Sequence, residues 1–156
     1  MVSRILIPDQ IKEEIREYGI RERKRHREAC GLLVGPFEDD DSISIQYRYT
    51  LPSKFGIGKP LFLLSDFLYT TVHLPLIWHS YMQSRQSRER IVGNGNRPAT
   101  LYYHTHRQLE WSDADLFAHQ KLIGNYREYL AASVLYIVGK DEFLAMDDHH
   151  THISIV

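Results

Sequence analysis

The segment Ala29-Cys30-Gly31-Leu32-Leu33-Val34-Gly35 carries no charged side chain and is closed by Gly35-Pro36. A continuous apolar run has no face to turn to water, so the spacing predicts a strand buried on both faces and central in a sheet. The chain has the material to cover such a strand. Its 156 residues are 43% apolar and 25% charged, enough for one core and too few for two ordinary domains, so residues 1–156 are expected to form a single domain.

Other elements follow from periodicity. Ile11, Ile15 and Tyr18 recur at i, i+4 and i+7, with Pro8 and Asp9 placed to start and cap a helix that ends near Gly19. The basic tract Arg21 to Arg27 and the acidic run Glu38 to Asp41 are too short to indicate more than a solvated helix end and a turn. Ile43, Ile45, Tyr47 and Tyr49 alternate with polar residues as in one half-buried strand. Leu61 to Leu64 reads as a short strand, and Ser65 caps a helix to about Tyr81 interrupted near Pro75. Residues 80–98 are polar and arginine-rich, a surface insertion with a short strand at Arg90 to Val92. Ala99 to His104 is a strand, and Ser112 opens a helix with Leu116, Ile123, Tyr126 and Leu130 on its apolar face. Ser133 to Val138, Glu142 to Met146 and Thr151 to Ile155 read as strands, the first two joined by the turn Gly139-Lys140-Asp141. Together these predict an α/β fold: a mixed, curved sheet with helices on both sides.

Composition narrows the function. Nineteen Lys and Arg against twenty Asp and Glu give a net charge of -1, without the basic excess that a nucleic-acid surface needs. Cys30 is the one cysteine, which excludes an intrachain disulfide and a Cys-rich zinc finger and fits the cytoplasm. It reads as a buried thiol. The apolar stretch before Asp9 is too short for a secretion signal. Leu61 to Trp78 contains Asp66, His73 and Pro75, so no membrane span is expected there.

Nine histidines are spread through the chain. His104-Thr105-His106 falls at the end of a predicted strand, where residues i and i+2 share a face and both imidazoles reach one ion. Asp115, one turn into the following helix, supplies a third ligand and leaves a fourth position open, as in catalytic zinc sites. Ser112-Asp113-Ala114-Asp115 is also an ordinary capping box. His150-Thr151-His152 lacks a following acidic helix and reads as an exposed strand segment, while His119 suits an orienting or core role.

Glu28 ahead of the buried Gly31 to Gly35 strand, His104-Thr105-His106, and Ser112-x-x-Asp115 occur in that order. The set resembles the JAMM (MPN+, JAB) family of zinc isopeptidases, in its bacterial-type stand-alone form, across most of the chain. The resemblance implies a JAB/MPN, cytidine-deaminase-like architecture with Zn2+ held by His104, His106 and Asp115. It implies Glu28 as the general acid/base acting on the attacking water, and Ser112 as a hydrogen-bond donor to the tetrahedral oxyanion. The substrate it implies is a ubiquitin-like protein, its conjugate or a sulfur carrier, cleaved after the C-terminal glycine, with Arg85, Arg88 and Arg90 of the insertion helping to grip the modifier. The chain departs from the family pattern in two places: Arg107 stands where proline is usual, and the loop to Ser112 is two residues shorter.

Alternative templates fit less of the sequence. His104, His106 and Glu110 match a cupin fragment, but Pro98 and Phe117 stand where cupin glycines belong, and helix follows Glu110 where strand is needed. A large barrel hydrolase needs about 250 residues. The alternative from another class is a metal-free MPN-type scaffold that mediates assembly.

Overall fold

A computed structural model describes residues 2–39, 41–51, 98–113, 115, 116, 119 and 130–156. The expected strand at Leu61 to Leu64, the helix to Tyr81, the insertion at 80–97 and the helix positions Ile123 and Tyr126 lie outside the described residues. The named elements are β1 (Arg4–Leu6), α1 (Asp9–Lys24), β2 (Cys30–Asp39), β3 (Ser42–Ser44), β4 (Tyr47–Leu51), β5 (Pro98–His106), β6 (Leu130–Ile137), β7 (Glu142–Met146) and β8 (Ser154–Ile155).

The strands form one sheet in the order β7-β6-β5-β2-β3-β1-β8, with β4 paired to β2 off that path. The pairs β5–β6, β1–β3 and β1–β8 are parallel, and β2 runs antiparallel to β3, β4 and β5, as β6 does to β7. A bridge between Met146 and His152, and a 3.0 Å hydrogen bond from Ile153 N to Ala145 O, bring the two ends of the sheet together. The sheet is therefore mixed, curved and nearly closed. The prevalence of antiparallel neighbours makes the described fold α+β rather than the expected α/β.

β2 is central, as its composition requires. Leu33 packs in the core with Ile5, Ile11, Ile15, Leu101, Tyr103, Val134 and Tyr136, while Leu32 and Val34 are equally buried on the alternate face. The strand also runs through Gly35-Pro36, where the sequence predicts its end. A methyl group on Gly35 would collide with the Ser44 carbonyl, and one on Gly31 with the Tyr49 carbonyl. The glycines thus allow the next chain segment to lie against β2 rather than stopping it.

That segment is two strands, where alternation predicts one. Ile45 N donates to Leu6 O at 2.8 Å and Gln46 N to Val34 O at 2.9 Å, so between β3, which pairs with both β1 and β2, and β4, which pairs with β2, the chain leaves β1. Side-chain alternation continues across this break, which hides it from the sequence. β1 has three residues and β8 two, too short for a periodic signal. Thr151 to Ile155 is strand only in its last part, because the chain turns at His150, whose φ is 59°.

α1 buries Ile11, Ile15, Tyr18, Gly19 and Glu22, so the periodicity holds one turn past its expected end. Gly19 does not terminate the helix. Its absent side chain admits Thr105 Cγ2 and Val138 Cγ2, which would lie 3.2 and 3.3 Å from a Cβ there. Pro8, rather than Asp9, occupies the N-cap and makes no side-chain cap. Lys12 N takes up the Pro8 carbonyl at 3.0 Å. No described helix is long and apolar enough to cross a membrane.

Replacing Gly35 with alanine should destabilise the chain by about 2 kcal/mol or more, because the backbone of Ser44 has to move. Urea denaturation of Gly35→Ala checks this, and an unchanged midpoint would contradict the close approach.

Candidate metal centre

The centre is built on the C-terminal end of β5. The register pairs Cys30 with His104, and Thr105 N donates to Ala29 O at 3.0 Å, carrying the pairing one residue further. The Thr105 hydroxyl accepts from Ala29 N at 2.9 Å, and its methyl lies against Gly19 of α1. Alternation then sends His104 and His106 to the other face. Their ring centroids are 4.8 Å apart, edge to face. Glu28, the residue before Ala29, has Oε1 at 3.8 Å from His106 Nε2.

Asp115 reaches the two imidazoles from the segment that follows. Residues 113, 115, 116 and 119 are helical, and Leu116 N bonds to Ser112 O at 3.0 Å. The capping box forms in both directions: Asp115 N donates to Ser112 Oγ at 3.2 Å, and Asp115 Oδ2 accepts from Ser112 N at 2.8 Å and Ser112 Oγ at 2.7 Å. Capping and placement of the Asp115 carboxylate are therefore one device. The box fixes the carboxylate so that Oδ1 lies 3.3 Å from His104 Nε2 and Oδ2 lies 3.3 Å from His106 Nε2.

These atoms suit a metal ion. Ligand atoms about 2.0 to 2.2 Å from a tetrahedral ion stand roughly 3.3 to 3.6 Å from one another. One ligand atom from each of His104, His106 and Asp115 falls within a 4.8 Å spread, and His104 and Asp115 are buried. His106 Nδ1 faces the carbonyl oxygens of Leu109 at 3.0 Å and Glu110 at 3.1 Å, which only accept. Its proton is therefore on Nδ1, which aims the Nε2 lone pair at the site, the usual way a backbone carbonyl orients a metal-binding imidazole. Both ring nitrogens of His104 are buried without a hydrogen-bond partner among the described residues. A bound cation accounts for an orphaned nitrogen facing a carboxylate better than any partner among the described residues.

Without metal, protons take over part of that role. Burial opposes charge on His106, but Asp115, Glu28 and the Leu109 carbonyl outweigh it and raise its pKa to about 9. Burial leads the lowering of the His104 pKa, keeping that ring neutral. Burial acts to raise Asp115, yet the facing histidines hold it well below the usual carboxylate range.

The sequence did not single out Trp111, whose indole ring lies edge-on to His104 with centroids 5.6 Å apart and whose Nε1 is buried without a hydrogen-bond partner among the described residues. An aromatic residue beside the capping serine was the available signal. Thr105 was also missed as a positioning residue, although a polar residue between two ligands on a strand must face the opposite layer. His119 is buried in the structure. It places Nε2 2.6 Å from Asp147 O and Nδ1 2.5 Å from the Ser133 hydroxyl, so Nε2 donates and Nδ1 accepts. Cys30 is a buried thiol. His150 and His152 are exposed as expected, although His150 sits in a turn organised by Asp147, whose Oδ1 accepts from the backbone of His149 and Thr151.

A group whose folded pKa is raised stabilises the fold fully below its unfolded value and loses that contribution as pH rises through the folded value. The metal-free chain should therefore lose stability between about pH 6.5 and 9 through His106, and metal uptake in that range should release a proton. Thermal melts with chelator, and calorimetry in buffers of different ionisation enthalpy, measure the two effects.

A scan against models of known protein families and a search of curated proteins both returned no match.

Proposed function

We propose that the chain is a zinc-dependent peptidase or isopeptidase with JAB/MPN architecture, acting in the cytoplasm on a ubiquitin-like protein or sulfur carrier after its C-terminal glycine. The observation that carries this reading is the convergence of His104, His106 and Asp115 with Glu28 beside them, 3.8 Å from His106. A structural zinc site closes its coordination with four protein ligands, whereas three ligands beside an additional carboxylate suit hydrolysis. The motif order, Glu28 then His-x-His then Ser-x-x-Asp, supports the family assignment on sequence grounds.

Zinc supplies Lewis acidity, polarising a scissile carbonyl and letting water lose its proton near neutral pH. The residues of the chain do the rest. Glu28, with 14% of its side chain exposed, takes the proton from the attacking water and returns it to the leaving amine. The His106 ring is held by the loop carbonyls and the Asp115 carboxylate by the Ser112 backbone amide, so neither has to reorganise as charge develops. Ser112 gives its single hydroxyl proton to Asp115 Oδ2, so donation to an oxyanion requires that hydroxyl to rotate during turnover.

Metal analysis separates this reading from a metal-free scaffold. The wild-type chain should retain one zinc, and Asp115→Asn should lose it while remaining folded. A folded wild-type chain that takes up no zinc would favour the scaffold. Glu28→Ala should keep zinc and reduce cleavage of a ubiquitin-like fusion by about 10²- to 10⁴-fold. Ser112→Ala should lower stability by about 1 kcal/mol through the lost cap and slow turnover further.

A further inference from the structure

The capping box ties Asp115 to Ser112, but both residues belong to one segment, so the box fixes the carboxylate relative to its own helix and not relative to the sheet that carries His104 and His106. Two imidazoles from one element and a carboxylate from another stay together only if the second element is held in place. Past Ser112, and apart from the contacts of Asp115 with the imidazoles themselves, the hydrogen bonds among the described residues that join this segment to the sheet are both made by His119.

His119 stands four residues after Asp115, and residues at i and i+4 of a helix share a face. It is buried, and each ring nitrogen is engaged: Nδ1 by the Ser133 hydroxyl at 2.5 Å and Nε2 by the Asp147 carbonyl at 2.6 Å. Ser133 pairs with Tyr102 across β6 and β5, two residues before Leu135, which pairs with His104. The first anchor therefore lies on the strand beside the ligands and on the face they share. The second is itself fixed. Asp147 Oδ1 accepts from His149 N at 2.9 Å and Thr151 N at 2.8 Å, and Asp147 N donates to Thr151 O at 3.1 Å. These bonds hold the Asp147 carbonyl where the Met146–His152 bridge closes the sheet.

We infer that His119 is a positioning residue for the metal centre: its two bonds clamp the segment that carries Asp115 to β6 and to the closing turn, and so set the distance from the carboxylate to the two imidazoles. The inference rests on His104, His106 and Asp115 holding a metal ion, and not on which bond the protein cleaves. A core histidine needs only to satisfy its own nitrogens, whereas this one spans three elements from the face that bears a ligand. Metal–ligand distances tolerate only about 0.2 Å, so a segment free to slide would lose the ion.

The test is zinc competition between the full chain and a chromophoric chelator. His119→Phe keeps the bulk of the ring and removes both bonds; it should fold and bind zinc about tenfold or more weaker than wild type. His119→Gln, whose amide donates to the Asp147 carbonyl from the Nε2 position, should recover most of that loss. Gly35→Ala destabilises the opposite end of β2 and should leave zinc affinity unchanged, which separates positioning from lost stability. Should His119→Phe fail to fold, Ser133→Ala, which removes one bond, should weaken zinc binding about threefold or more. In the metal-free chain the Leu116 amide, bonded to Ser112 O at 3.0 Å, should exchange about tenfold faster in His119→Phe, or in Ser133→Ala in its place. A wild-type chain that takes up no zinc sinks the metal reading and leaves the clamp to be judged by that exchange, where an unchanged rate overturns it. Wild-type zinc affinity in the folded variant, or an equal loss in Gly35→Ala, would also overturn the inference.

Discussion

Thr105 holds β2 and β5 in register through two contacts with Ala29, one from its backbone amide and one through its hydroxyl. Because side chains alternate along a strand, that register decides which groups share the far face. It puts His104 and His106 together and sets Glu28 beside His106. A slip of one residue would send both imidazoles into the apolar layer under α1 and replace them with threonine and arginine. The buried run of β2 resists such a slip, since Leu33 and its neighbours would have to exchange faces with Leu32 and Val34.

The same strand end serves two surfaces of opposite character. Toward α1, Tyr103 packs in the core, and its hydroxyl accepts from Arg48, which also bonds to Glu14 at 3.0 Å. Away from α1, the sheet presents two histidines, which the buried Asp115 carboxylate meets from the segment that follows β5. Such a cluster is costly to bury, and its cost is offset by proton sharing in the metal-free chain and by a cation when one is bound. Ser112 links these energetics to local structure, because the bonds that cap the helix are those that orient Asp115.

The clustering of His104, His106 and Asp115 was legible in the sequence because each part follows from a local rule: alternation on a strand for His104 and His106, and a three-residue capping spacing for Ser112 and Asp115. Glu28 was legible only through motif order, since its approach to His106 depends on long-range strand pairing. The central strand announced itself by composition. Its extension through Gly35-Pro36 did not, because a glycine that admits a neighbouring carbonyl reads like one that ends a strand. Gly19 misled in the same way. The split between β3 and β4 was hidden because the alternation of Ile43, Ile45, Tyr47 and Tyr49 continues while the chain leaves β1 and stays on β2.

X-ray absorption at the zinc edge of the zinc-loaded chain tests the central claim most directly. Nitrogen and oxygen ligands at about 2.0 to 2.1 Å with the outer-shell pattern of two imidazoles are expected, with loss of that spectrum in His106→Ala. A zinc–sulfur distance of about 2.3 Å, implicating Cys30, or an imidazole pattern that survives removal of His106, would contradict it.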